Sequence, residues 1–254
     1  MNTIDVNSDL GEGFGPWAMG DDESMLSIVN SANIACGGHA GDSETMYRTC
    51  RIAADNGVVI GAHPGYVDRE GFGRRIIPMS PDEIGRMVVT QIAALAAIAR
   101  LAGTEVRYVK PHGALGNLAA ADATVAAGIV TAVQIAFPTL AFLAISGTQL
   151  ELVARAANAA VFCEIFADRA YQPNGLLVPR NEPGAVIHDA QVAARRLIAF
   201  VETGRMAVVG ADPIALDAHS ICVHGDTPGA VDMARHIREQ LVGAGLAPRP
   251  FLST

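Results

Sequence analysis

A chain of 254 residues with half its side chains apolar and only 17% charged can bury a large core, which excludes a disordered chain. Its formal net charge of −8, with no run of Lys or Arg, excludes nucleic acid and an anionic membrane as expected partners. Cys36, Cys50, Cys163 and Cys222 form no CxxC pair, and the first residues lack the basic and apolar regions of a signal peptide. The expectation is a cytoplasmic protein with reduced thiols.

Taken in order, an apolar alternation at residues 4–7 reads as the first strand and runs into Ser8-Asp9-Leu10-Gly11-Glu12-Gly13. The glycines are wrongly spaced for a dinucleotide fingerprint, so what remains is a flexible turn with an acid at each end. A second strand, 31–35, ends in Cys36-Gly37-Gly38-His39, after which Asp42 or Ser43 caps a helix that stops near Gly57. The third strand, 58–62, delivers His63-Pro64-Gly65, and a loop at 66–79 contains Gly71-Phe72-Gly73-Arg74-Arg75. Ser80, Pro81 and Glu83 mark a helix start with a capping box, and that helix ends at Gly103.

The fourth strand, 106–109, ends in Lys110-Pro111-His112-Gly113. Lys110 is the chain's single lysine against seventeen arginines, placed where a compact, proton-transferring charge is needed and arginine cannot replace it. A helix at 122–136 and a strand at 140–145 follow; the apolar run 129–146 is interrupted by Gln134 and Pro138, so it reads as helix end, turn and strand, not as a membrane span. Beyond Ser146-Gly147 a helix reaches Ala157. The sixth strand, 161–166, carries Glu164 and leads to Asp168-Arg169. The Pro/Gly/Asn-rich segment 172–184 is too long for an ordinary connection and reads as an ordered loop or lid. A helix at 189–203, a last strand at 220–223 ending in His224-Gly225-Asp226, and a helix from Pro228 to near Gly243 complete the chain.

About seven strands, most followed by a helix and without a composition break, imply one α/β domain over residues 1–254: a parallel sheet curled into a (β/α) barrel, expected to be seven-stranded and irregular. Everything after a strand's C-terminal end then converges on one rim. There the chain would collect Asp9, Glu12, His39, His63, Lys110, His112, Glu164, Asp168, Arg169, His224 and Asp226, leaving His188, His219 and His236 as surface or capping residues. Three uses compete for this cluster. Asp9 with His39, His63 or His112 suits a divalent metal. Paired histidines and carboxylates suit metal-free acid–base catalysis. Lys110, Arg74, Arg75 and Arg169 suit a bound phosphate or carboxylate. No HExxH, no P-loop for ATP and no GxSxG elbow is present.

Asn7-Ser8-Asp9-Leu10-Gly11-Glu12, Asn33-Ile34-Ala35-Cys36-Gly37, His39-Ala40-Gly41-Asp42, Gly61-Ala62-His63-Pro64-Gly65, Gly71-Phe72-Gly73-Arg74-Arg75, Lys110-Pro111-His112-Gly113-Ala114-Leu115, Glu164-Ile165-Phe166-Ala167-Asp168-Arg169 and Val223-His224-Gly225-Asp226-Thr227 together resemble the LamB/YcsF family, from about Asp5 to Gly245. Two positions depart from its pattern: Gly38 stands where a bulkier residue, often Phe, is usual, and Gly116 where Tyr is usual. Both departures would widen the pocket mouth.

The resemblance implies a barrel of the glycoside hydrolase/deacetylase kind. It also implies ATP-dependent opening of 5-oxo-L-proline to L-glutamate, together with separate B and C subunits of a 5-oxoprolinase. A five-membered lactam is a stabilised amide, and phosphorylating its oxygen lets water compete. On this reading the partners supply ATP and phosphorylation, and this chain hydrolyses. His63, His112 or Asp9 would activate water, while Lys110, Arg74 and Arg75 hold the phosphorylated oxygen. Glu164, Asp168 and His224 would contact the substrate amine or orient other groups; His39 and Glu12 complete the catalytic set. Asn7, Asn33, Arg169 and Asp226 would bind substrate or phosphate. The alternatives are a metal-dependent, ATP-independent amidase or carbohydrate deacetylase, and a small-acid binding protein.

Overall fold

The computed structural model describes residues 3–225 and 229–252. In chain order its elements are β1 (Thr3–Leu10), α1 (Asp22–Leu26), β2 (Ser31–Ala35), α2 (Ser43–Asp55), β3 (Val59–His63), α3 (Pro81–Leu101), β4 (Val106–Val109), α4 (Gly113–Ala121), α5 (Ala123–Ala136), β5 (Ala141–Ile145) and α6 (Gln149–Ala156). They continue with β6 (Val161–Phe166), α7 (Ala190–Thr203), β7 (Arg205–Val208), β8 (Ala211–Ala215), β9 (Ser220–Cys222), α8 (Ala230–Gly243) and β10 (Ala247–Pro248). Strands β1 to β6 pair in sequence order, all parallel, β6 pairs with β9, and β9 returns to β1 through Asp5↔Ser220, Val6↔Ile221 and Asn7↔Cys222. The result is the expected seven-stranded closed barrel with helices around it, in one α/β domain.

Local chemistry explains most elements. Ser80 accepts from the Glu83 backbone amide while Glu83 accepts from Ser80, so α3 begins at Pro81 with the capping box in place. Asp42 caps α2 by accepting from Thr45 N at 2.9 Å. By length and composition α3 is apolar enough to cross a membrane. Here Ile84, Val88, Ile92, Leu95 and Ala99 recur at helical spacing, and the helix packs on α2 and α5 outside the barrel. The apolar run at 129–146 is the end of α5, a turn and β5, as expected.

Four features depart from the expected elements. The helix expected at 122–136 is preceded by α4, which bends away from α5 by 112°. Asp122 ends one and caps the other, accepting from Thr124 N at 2.7 Å. No side chain caps α4, so nothing polar announces its start. Short α1 and the antiparallel β7–β8 hairpin were also unannounced, and β10 adds to the outside of β1 at Thr3↔Ala247. Asp226 and the Pro228 helix start lie outside the described residues.

The barrel interior is filled from below by Val59, Tyr108, Ala141 and Leu143, against which Phe162, Phe251 and Leu252 pack. The Phe251 ring lies 5.0 Å from Tyr108 and 4.9 Å from Phe162 between centroids, so the C-terminal segment plugs the barrel base. Gly61 makes room for the tyrosine: a Cβ there would sit 2.2 Å from the Tyr108 ring. With the base closed, only the opposite rim remains open.

Candidate functional site

Strand alternation places Asp5, Asn7 and Asp9 on one face of β1, and side chains from β2, β4, β6 and β9 meet them across the barrel. Asn7 donates to Ser220 Oγ at 2.6 Å and accepts from Asn33 Nδ2 at 2.7 Å; Ser220 donates to Asp5 Oδ1 at 3.1 Å. Asn33 also donates to Asp9 Oδ1 at 2.8 Å and accepts from the Tyr108 hydroxyl at 2.6 Å. Asn7 and Asn33 therefore form a buried amide floor beneath the rim instead of lining the cavity.

Lys110 projects over that floor. Its Nζ lies 2.9 Å from Asp9 Oδ1, 3.0 Å from Glu164 Oε2, 3.2 Å from Cys222 Sγ and 3.4 Å from Asn7 Oδ1. The Phe166 ring closes one side at 5.2 Å. Burial would drive the proton off this amine, but Asp9 and its anionic neighbours outweigh burial and hold its pKa well above the ordinary lysine value. Burial also acts to raise Asp9, yet His63 and Lys110 prevail and keep its carboxyl well below the usual range. Glu164 is raised by its burial, with Lys110 opposing. Lys110 does border the cavity, but its three protons are already directed at protein acceptors. Lys110 thus serves as counter-ion to Asp9 and Glu164 at the edge of the cavity.

Three histidines gather beside Asp9. His63 Nδ1 donates to the Lys110 carbonyl at 2.7 Å, and His112 Nε2 donates to the Phe72 carbonyl at 2.9 Å. These bonds turn the remaining nitrogens, His63 Nε2 and His112 Nδ1, toward each other at 3.0 Å. Two bare lone pairs cannot face each other at that distance, so the pair holds one proton or one cation. Asp9 Oδ2 is 3.3 Å from His63 Nε2, and Glu12 Oε1 is 3.5 Å from His112 Nδ1 and 3.2 Å from His39 Nε2. His39 stacks on His112 at 3.6 Å and is wholly buried, its Nδ1 without a hydrogen-bond partner among the described residues. Burial first, then neighbouring positive charge, lowers both His39 and His112 well below the usual imidazole value. The packing explains a glycine: a Cβ on Gly73, which has φ +62°, would lie 2.6 Å from His39 Cβ and 3.0 Å from His112 Cδ2.

Across the rim His224 Nδ1 is 2.7 Å from Asp168 Oδ2, and its ring stacks on Phe166. Burial acts to raise Asp168, but His224 outweighs it and lowers its pKa. Asp168 stands behind His224, which itself borders the cavity.

The rim encloses a cavity of about 500 Å³. Asp9, Glu12, His63, His112, Lys110, Glu164 and His224 all line it. Arg74 and Arg169 border it as well, joined by Arg180, Leu177, Pro179 and Asn181 of the expected lid segment. Arg169 is fixed by the carbonyls of Val178 and Ala185, and burial together with Arg180 lowers its pKa to about 10. Arg75 is directed elsewhere: its guanidinium binds both Asp68 carboxylate oxygens and ties down the loop that carries Phe72. Gly38 does not widen the mouth either, because it lies against the Gln91 amide of α3, whereas Gly116 does border the cavity.

Sequence reasoning passed over Gln91 and Arg180. Gln91 donates to the Gly65 carbonyl at 2.7 Å and accepts from Gly65 N, fixing the turn after His63. Its signal was a lone amide on the apolar face of α3. Arg180 was signalled only by the length of its loop.

Residues 4–254 match the LamB/YcsF family. The chain belongs to the LamB/YcsF family. Within it, a 5-oxoprolinase A subunit of Agrobacterium fabrum is 49% identical over 253 residues, covering 100% of this chain and 99% of its own. The 5-oxoprolinase A subunit of Nocardia farcinica is 51% identical over 249 residues, covering 98% and 99%. The solved lactam utilization protein from Thermus thermophilus superposes with a TM-score of 0.91 at 40% identity, covering 97% of this chain and 99% of that one. The LamB/YcsF membership fits the architecture, a closed seven-stranded barrel with its chemistry on one rim.

Proposed function

We propose that this chain is the A subunit of a 5-oxoprolinase and that its rim cavity opens the lactam of 5-oxo-L-proline to give L-glutamate. What carries this reading is full-length kinship with proteins of that name, joined to a cavity that holds acid–base and cationic groups together. The lactam oxygen is first phosphorylated at the expense of ATP by B and C subunits, since this chain has no phosphate-binding loop. The activated substrate then sits with its phosphoryl group toward Arg74, Arg169 and Arg180, which line the cavity.

Hydrolysis needs a base for water and an acid for the leaving nitrogen. Asp9, held ionised by His63 and Lys110, faces the cavity beside the His63–His112 pair. Asp9 takes a proton as water adds to the activated carbon, and returns one to the ring nitrogen as the C–N bond breaks. The product of that cleavage is an acyl phosphate, and a second water hydrolyses it to the glutamate carboxylate as phosphate departs toward the arginines. His224, backed by Asp168, and Glu164 contact the substrate's amine and carboxylate end. Segment 172–184 covers the cavity and excludes bulk water. The cytoplasm supplies the ATP, and the four buried free cysteines suit its reducing conditions.

Glutamate release from 5-oxo-L-proline and ATP, with and without the partner subunits, tests this reading. Formation only in the mixture is expected. An equal rate from the isolated chain would overturn the division of labour, and no glutamate from either would overturn the assignment.

A further inference from the structure

Glu12, His39, His63 and His112 bring one donor atom each to within 4.8 Å of one another, all buried. The separations between facing donors are 3.0 Å for His63 Nε2 and His112 Nδ1, 3.2 Å for His39 Nε2 and Glu12 Oε1, and 3.5 Å for His112 Nδ1 and Glu12 Oε1. A four-coordinate ion with metal–nitrogen bonds of about 2.0–2.1 Å sets its ligand atoms ~3.3 Å apart, so these spacings are those of a coordination shell.

The outer bonds fit as well. His63 and His112 each donate their far N–H to a backbone carbonyl, Lys110 O and Phe72 O, which is how ligating histidines are held with the inner lone pair aimed at the metal. Their rings stand at 86° to each other, with the two inner nitrogens 3.0 Å apart. His39 lies flat on His112, with ring planes 4° apart, and reaches the same point only by tilting. It flanks a three-ligand set and leaves a fourth position toward the cavity.

We propose that Glu12 Oε1, His63 Nε2 and His112 Nδ1 bind one divalent transition-metal ion, with His39 beside the fourth position. The donor set of imidazoles and one carboxylate selects zinc, cobalt, nickel or manganese over magnesium or calcium. A second group, Asp9, Cys222 and His224, also places its donors within 4.8 Å. That group already surrounds a cation, because Lys110 Nζ lies 2.9 Å from Asp9 and 3.2 Å from Cys222 Sγ. The ion therefore belongs to the histidine group. Metal binding here depends neither on the choice of substrate nor on partner subunits.

Chelator-treated full-length protein, titrated with Co²⁺ near neutral pH, supplies the test. The expected result is visible ligand-field absorption that saturates at one ion per chain, is displaced by Zn²⁺, and accompanies a rise in melting temperature. His112→Gln and Glu12→Gln each remove the saturating signal, and Cys222→Ser keeps it. Circular dichroism and the melting temperature of the metal-free variants establish that they are folded; if one variant does not fold, the other and the wild-type stoichiometry decide. Absence of a saturating signal in the wild type would overturn the proposal, since the histidine pair would then hold a proton. So would loss of the signal in Cys222→Ser with retention in the two ligand variants.

Discussion

A lysine enclosed by two carboxylates, a thiol and an amide is fixed by the shape of its charge. Four acceptors lie 2.9–3.4 Å from the single nitrogen of Lys110, an arrangement that a planar guanidinium cannot copy. That is why one lysine survives in a chain that otherwise uses arginine. Its place at a strand end was legible; its partners were not, because Asp9, Glu164 and Cys222 lie far away in sequence and meet only on closure of the barrel. The same holds for the histidines: their convergence on one rim followed from strand ends, but which nitrogen faces which depends on the Lys110 and Phe72 carbonyls. Lower in the barrel, burial raises the Asp5 carboxyl to about 8, only partly countered by serine hydroxyls, of which Ser220 donates to it. The unfolded carboxyl titrates near 3.8, so between these values the folded protein holds the extra proton. The contribution of Asp5 to stability is therefore greatest below about pH 4. It declines as pH rises and levels off above the folded value. Urea unfolding across this range should show that decline in the wild type and a flatter curve for Asp5→Asn; identical slopes would mean that Asp5 is ionised in the folded chain.

Elements with a polar signature were readable, and those without one were not. The capping box at Ser80 and Glu83 announces α3, and Asp42 announces α2. By contrast α4 starts at Gly113 with no side-chain cap and is built from small residues, so it merged into the loop after His112. The β7–β8 hairpin lies outside the barrel's βα rhythm, with four of the five β8 residues exposed, so it lacks the apolar alternation that marks a half-buried strand. Segment 172–184 was legible as unusual through its Pro and Gly content, whereas its contribution of Arg180 to the cavity required the fold. Because the Ser80 cap is exposed and its effect is local, Ser80→Ala should cost about 1 kcal/mol in chemical denaturation and leave turnover unchanged. A change in turnover would tie the start of α3 to the Gln91–Gly65 contact further along the same helix.

At the scale of the whole molecule, one end of the barrel is closed and the other reacts. Phe251 seals the base against Tyr108 and Phe162, and this closure was not legible because a C-terminal Phe-Leu carries no periodic pattern. Phe251 is half-buried, so Phe251→Ala should lower stability by about 1–3 kcal/mol, less than the ~3–5 kcal/mol of a fully buried phenylalanine. Thermal unfolding measures this, and an unchanged melting temperature would show that the base does not need its plug. At the other end, labour is divided between chains in the proposed reaction: partners activate the lactam with ATP, and the rim cavity hydrolyses it. The direct test is the ratio of glutamate formed to ATP hydrolysed in the reconstituted complex carrying folded His112→Gln. ATP turnover that continues with little glutamate is the predicted result, because activation proceeds while hydrolysis at the rim fails. Glutamate formation in step with ATP at the wild-type rate would contradict this division and place hydrolysis elsewhere.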